Sequence, residues 1–275
     1  MTYARLLLQF LAVPIIVLAM LVLRDEHQQK RDRGAAWQGG LPYMVLVALI
    51  GVAILYTLPW DNHLIATRVW WYRPTLVSGI AFGWIPLEEV IFFPLQTLLI
   101  GLWCLWLLPR LASRTATEAF AGDGSNTKIS LVCVIAGSCL WLIALVVLRL
   151  GWQPGTYLGW ELVWGLAPLI LQLGLGADIL WRYRRLLCAT LVPAIPYLCA
   201  IDTLAIHNGI WTISPQQSLG ILIGGQLPLE EVVFFSLTSA LVASGLLLGV
   251  TAETRERLQR YRALLGLSKE SRRFS

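Results

Sequence analysis

Charge is what this sequence has least of. Asp, Glu, Lys and Arg make up 13% of its 275 residues, against 57% hydrophobic residues and a mean hydropathy of +0.69. So little charge excludes an ordinary soluble domain. Histidine is confined to His27, His63 and His207, which lack ligand spacing and read as loop or interface residues, so no metal is expected. The five cysteines (Cys104, Cys133, Cys139, Cys188, Cys199) lie in apolar stretches without CxxC spacing and read as small hydrophobes. No glycine-rich phosphate loop or dinucleotide fingerprint is present; Gly174-Leu175-Gly176 sits in an apolar run and reads as helix packing. A flavin would have no binding domain, and no cofactor is expected. The apolar runs lack period-2 alternation, which excludes a β-barrel and leaves no strands expected.

What the chain does have is seven long apolar stretches, near 4–23, 41–59, 76–108, 129–148, 158–180, 186–204 and 217–250. Each is long enough to cross a hydrocarbon core of ~30 Å as a helix. The fold class that follows is an all-α membrane protein with about seven transmembrane helices. The third and seventh stretches are too long for one simple crossing. The first has no charged leader or small-residue cleavage site and reads as a retained span. Lys and Arg are kept on the cytoplasmic side of short loops. With the N-terminus outside and the C-terminus cytoplasmic, 17 of the 21 Lys and Arg residues fall inside; Arg5, Arg68, Arg73 and Arg149 lie at the outer face. The net charge of +5 therefore reflects a multi-pass cell-membrane topology and contact with lipid, not nucleic acid.

An internal repeat organises the chain. Residues 61–97 open with Asp61-Asn62, carry Trp70 nine positions on, and reach Pro86-Leu87-Glu88-Glu89-Val90-Ile91-Phe92-Phe93. Residues 202–238 open with Asp202-Thr203, carry Trp211 nine positions on, and reach Pro228-Leu229-Glu230-Glu231-Val232-Val233-Phe234-Phe235. Three spans per repeat would invert the second copy, but the extra span near 129–148 restores its direction. The expected organisation is two parallel three-helix repeats joined by a linking helix: 1–114 the first repeat, 115–150 the linker and connecting helix, 151–250 the second repeat, and 251–275 a basic tail. The polar stretch Thr115 to Asn126, with Gly122, Asp123, Gly124 and Ser125, is the seam. Parallel repeats place a shared site at their interface.

The acids of the repeat are the candidate site. Proline at a first helical position followed by acids is an ordinary helix start, and the glutamates could simply cap helices at the outer interface. Apolar stretches lead into both motifs, however, and intramembrane acids are costly enough to be functional candidates. Glu88, Glu89, Glu230 and Glu231 are therefore candidate catalytic residues, with Asp61 and Asp202 supporting acids or interfacial caps at the span ends. Carboxyls sharing a buried site cannot all ionise cheaply, so one can donate a proton to a carbon–carbon double bond while another takes one back. The intermediate would be a carbocation. Phe92, Phe93, Phe234, Phe235, Trp70 and Trp211, together with Trp71 and Trp84, are candidates to stabilise it through their ring faces.

At Thr57-Leu58-Pro59-Trp60-Asp61-Asn62 and at the two Pro-Leu-Glu-Glu motifs with their Phe-Phe pairs, the chain resembles the heterodimer-type lycopene cyclases. In that family two three-span polypeptides, or one fused chain, share a Pro-x-Glu-(Glu/Asp) motif, and the cyclase part of fungal bifunctional carotenoid enzymes belongs with them. The resemblance covers about 41–108 and 184–248, and nothing like the fungal prenyl-condensing domain follows Ser275. It implies a carotenoid cyclase that converts the ψ-ends of lycopene to β-ionone rings without a flavin. The motif acids fall on Glu88, Glu89, Glu230 and Glu231. The implied partners are a lipophilic C40 substrate from the bilayer and other carotenoid-pathway enzymes. The residues alone leave β or ε rings, one or two closed ends, and lycopene or another acyclic carotenoid open. A proton-coupled transporter using the same repeated acids is the rival reading.

Overall fold

The computed structural model describes residues 1–33, 41–119 and 127–264, and in these the chain is a bundle of membrane-length helices. Helix α1 (Tyr3–Leu7) passes through one π-helical turn (Leu8–Ala12) into α2 (Val13–Arg33), and α3 is Leu41–Ala66. Strands β1 (Trp70–Tyr72), β2 (Ala81–Phe82) and β3 (Ile85–Pro86) then lead into α4 (Leu87–Ala119). Helix α5 (Thr127–Arg149) is followed by α6 (Thr156–Arg182) and α7 (Arg184–His207). Strands β4 (Trp211–Ile213), β5 (Leu222–Ile223) and β6 (Leu227–Pro228) precede α8 (Leu229–Val250) and α9 (Ala252–Leu264). Among the described residues, seven helices are long and apolar enough to span a membrane.

Helices α4 and α8, which carry the two Pro-Leu-Glu-Glu motifs, are the centre of the bundle. Their membrane windows are 61% and 56% buried, whereas that of α5 is 6% buried. The peripheral α5 packs chiefly on α6 and exposes Leu131, Val132, Ile135 and Ile143. Helix α3 packs on α4 and α8, α7 packs on both central helices, and α6 packs on α8. Close approach of α3 to α8 depends on Gly245 and Gly249. A Cβ built at Gly249 would lie 2.6 Å from Val45 Cγ1, and one at Gly245 3.0 Å from Leu49 Cδ2. In α6, Gly176 marks a kink and accepts Leu248 against its backbone.

Short strands are present, contrary to the expectation of none. β1 pairs antiparallel with β4, with Trp70 opposite Ile213 and Tyr72 opposite Trp211. The pairing joins segments 141 positions apart, so no local periodicity announces it. It also brings the connections before α4 and α8 to the same end of the bundle. β2 pairs with β3, and β5 with β6, in tight hairpins just ahead of each central helix. These hairpins explain the two overlong apolar stretches. The excess residues do not extend the helices but fold back ahead of them, exposing Ile80, Phe82 and Trp84 in one hairpin and Ile221, Leu222 and Ile223 in the other. Gly83 turns the first at φ +69°. Each hairpin also satisfies a helix-start N–H: Leu87 donates to the Ile80 carbonyl at 2.8 Å, and Leu229 to that of Ile221 at 2.9 Å.

Three further boundaries differ from expectation. The motif prolines stand one position before their helices, Pro86 closing β3 and Pro228 capping α8 in an extended conformation. Helix α4 runs on to Ala119 through the start of the expected seam, while Gly122, Asp123, Gly124 and Ser125 lie outside the described residues. The first part of the basic tail is α9, held on α6 by Arg257, whose guanidinium donates to both carboxylate oxygens of Asp178 at 2.8 Å; residues 265–275 lie outside the described residues.

Candidate functional site

The two repeats meet in a chamber of about 50 Å³ beneath the β1–β4 ribbon. Each central helix contributes the second glutamate of its motif: Glu89 from α4 and Glu231 from α8 line the chamber, together with Asp61 from α3 and Asp202 from α7. Both aspartates lie inside their helices, not at the ends, since α3 continues to Ala66 and α7 to His207. They are 2% and 3% exposed, so they do not cap helices at the interface. Each leaves its Oδ2 without a hydrogen-bond partner. Among the described residues no Lys, Arg or His lines the chamber. Four carboxyls thus surround one space with no basic side chain among the described residues to balance them.

Tyrosines hold the two glutamates. Tyr3 and Tyr72 both donate to Glu89 Oε2, at 2.6 and 2.7 Å, whereas Glu231 Oε1 accepts one tyrosine, Tyr157, at 2.7 Å. Desolvation, and then the Glu89 carboxyl beside it, push the hydroxyl of Tyr72 well above the ordinary tyrosine range, so it stays a donor. Tyr3 and Tyr157 occupy matching places, one on the first helix of each repeat.

The first glutamates of the motifs face away from the chamber. Glu88 accepts from Ser78 N at 2.6 Å and from Ser78 Oγ at 3.0 Å, and Glu230 accepts from Leu219 N at 2.7 Å. Both therefore brace the loop before their own hairpin. The Asp61-Asn62 pair divides in a similar way. Asp61 faces the chamber, while Asn62 accepts from Trp84 N at 2.7 Å and donates to the Phe82 carbonyl at 3.3 Å, clamping the β2–β3 turn.

Six of the aromatics singled out in the sequence, Phe92, Phe93, Phe234, Phe235, Trp70 and Trp211, line the chamber. Trp71 and Trp84 do not. Alternation along β1 turns Trp71 away from Trp70, and Trp84 sits 63% exposed on its hairpin. Sequence reasoning missed Trp60, whose ring stacks on Trp164 at 4.6 Å and on Phe234 at 6.0 Å. It also missed Tyr3, Tyr72, Tyr157 and Glu161. The tyrosines carry no local signal, because each reaches its glutamate from another element. Glu161, an acid within an apolar span, was legible in principle. A second cavity of about 100 Å³, with Leu49, Val52 and Tyr56 of α3 among its walls, shares Phe93 and Phe234 with the chamber.

The fold and this site define a multi-pass membrane enzyme built around unpaired carboxyls and aromatic faces. Comparison with known proteins agrees. A family model described as Lycopene cyclase matches residues 2–107 and 154–247, leaving out α5. The lycopene beta-cyclase of Halobacterium salinarum is 36% identical over 217 residues, covering 78% of this chain and 86% of its own length. The bifunctional lycopene cyclase/phytoene synthases of Gibberella fujikuroi and Phaeosphaeria nodorum are 32% and 34% identical over 74% and 72% of this chain. The match spans about a third, 34%, of each of those longer proteins. No solved structure matches. The chain belongs to the lycopene cyclase family, enzymes of carotenoid biosynthesis.

Proposed function

We propose that this chain cyclises the acyclic ψ-ends of lycopene to β-ionone rings by proton transfer, with no net redox change. The observation that carries the reading is the set of four carboxyls, Asp61, Glu89, Asp202 and Glu231, around one apolar chamber with no basic residue in its wall. Glu231, with a single tyrosine donor, gives its proton to the terminal double bond of the folded ψ-end. The tertiary cation attacks the neighbouring double bond and closes the six-membered ring. Glu89, with two tyrosine donors, is the better-held carboxylate and takes the proton whose loss fixes the ring double bond. The faces of Trp60, Trp70, Phe92, Phe93, Phe234, Phe235 and Trp211 stabilise the positive charge between these two steps. Glu88 and Glu230 contribute by fixing the hairpins, and Asp61 and Asp202 link the two glutamates across the chamber.

The substrate, a C40 hydrocarbon, enters from the bilayer. The second cavity adjoins the chamber at Phe93 and Phe234 and opens beside the exposed α3 residues Val52 and Tyr56, which supports lateral entry there. A chamber of about 50 Å³ must widen to admit a ring-sized end. The charge distribution, 17 of 21 Lys and Arg residues on one side, supports an outside N-terminus and a cytoplasmic C-terminus. Turnover in D₂O tests the mechanism. One deuterium per ring, at the carbon protonated first, is expected; rings formed without deuterium would mean that the initiating proton does not come from an exchangeable group, and the reading would fail.

A further inference from the structure

The second repeat buries an acid that the first repeat lacks. Glu161 on α6 is 0% exposed, and neither oxygen of its carboxyl has a hydrogen-bond partner. It lies one turn beyond Tyr157, the tyrosine that donates to Glu231, and interacts with Glu231, Glu230 and Asp202. The counterpart in the first repeat follows from two matched pairs. Tyr3 and Tyr157 each hold the chamber glutamate of their own repeat. One turn later again, Tyr197 donates to the Phe10 carbonyl at 2.7 Å and Tyr56 to that of Trp164 at 2.9 Å. Tyr3 and Phe10 therefore correspond to Tyr157 and Trp164, and Glu161 corresponds to Leu7, a buried apolar residue.

The repeats differ at a second place. Tyr72, which gives Glu89 its second donor, corresponds to Ile213, two residues after the repeat tryptophan in each copy. The first repeat thus surrounds its glutamate with two donors and an apolar neighbour, and the second surrounds its own with one donor and another acid. A buried acid with no hydrogen-bond partner is costly, and Leu7 demonstrates that the helix position does not need one.

We propose that Glu161 is a positioning residue that makes Glu231 the proton donor, its buried carboxyl disfavouring ionisation of Glu231 from the far side of the Tyr157 hydroxyl. Two carboxyls in one buried site cannot both ionise cheaply, so the pair enters each turnover with a proton available to the chamber. The O–H bond of Glu231 breaks as the new C–H bond of the substrate forms. Glu89 later receives the proton lost from the cation and releases it to solvent, and Glu231 is reprotonated from solvent before the next turnover, leaving no net change. The inference rests on the cyclase reading and gives the repeats unequal roles.

The test compares wild type with Glu161→Leu, which installs the residue of the first repeat, and with the near-isosteric Glu161→Gln, each reconstituted in lipid nanodiscs with lycopene. Both variants should lose at least tenfold in kcat with KM within twofold, while the thermal midpoint of Glu161→Leu stays level or rises. Glu161→Asp should recover part of the loss. Glu161→Leu with kcat within twofold of wild type would overturn the proposal, and so would a loss confined to KM. Should Glu161→Leu fail to insert, Glu161→Gln carries the same decision. A wild type that leaves lycopene unchanged would instead sink the cyclase reading itself, which separates the two failures.

Discussion

Tyr157 and Glu231 lie 74 positions apart and are joined by a hydrogen bond of 2.7 Å that ties the first helix of the second repeat to its motif helix. Tyr3 and Glu89 form the same tie in the first repeat at 2.6 Å, but there Tyr72 doubles it. Removing the single donor should therefore hurt more. Tyr157→Phe should lower turnover by about tenfold, the scale of one hydrogen bond, and Tyr3→Phe by less. Initial rates of lycopene loss in isolated membranes check the order; equal losses would contradict it.

The glutamates of each motif should separate by position. Glu89→Gln and Glu231→Gln should each cost at least about 100-fold in turnover, as expected for loss of a general acid or base, with little change in stability. Glu88→Gln and Glu230→Gln should act through the loops that these residues brace. The expected cost is about 1–3 kcal/mol of local stability, with part of the activity retained. Proteolysis at the 78–86 and 219–227 hairpins, measured alongside turnover, distinguishes the two patterns.

The close contact of α3 with α8 predicts a packing effect. Gly249→Leu would force side-chain atoms into Val45, which already lies 2.6 Å from where a Cβ would stand. Separation of α3 from α8 would displace Asp61 from the chamber. The variant should show a lowered thermal midpoint and little activity, whereas Gly51→Leu, at a glycine with open space around it, should show neither.

At the far end of the bundle, Asp178 and Arg257 form a bidentate pair with side chains 5% and 16% exposed. Arg257→Ala leaves the Asp178 carboxylate without that partner and should cost about 1–3 kcal/mol of stability and loosen α9. Hydrogen exchange over 252–263 should rise while the rate of cyclisation per folded molecule stays near wild type.

Much of this was legible in the sequence because it is local. The seven spans follow from composition, the repeat from the paired motifs, and the acids and six chamber aromatics from their positions in those motifs. What was hidden depends on distant parts of the chain. The β1–β4 ribbon pairs short strands from different repeats, and its alternation sends Trp70 into the chamber and Trp71 out of it. Hydropathy alone reads the hairpins as excess membrane span because their residues are apolar, although they fold back before the helix begins. Adjacent acids look equivalent in sequence, yet a rotation of about 100° from one helix residue to the next separates a loop brace, Glu88, from a chamber acid, Glu89.

Pigment analysis of cells that accumulate lycopene tests the central claim most directly, with wild type, Glu89→Gln and Glu231→Gln expressed to equal membrane levels. The account predicts lycopene replaced by cyclic product with wild type, and lycopene left essentially intact by both variants. Unchanged lycopene with wild type, or full conversion by both variants, would contradict it.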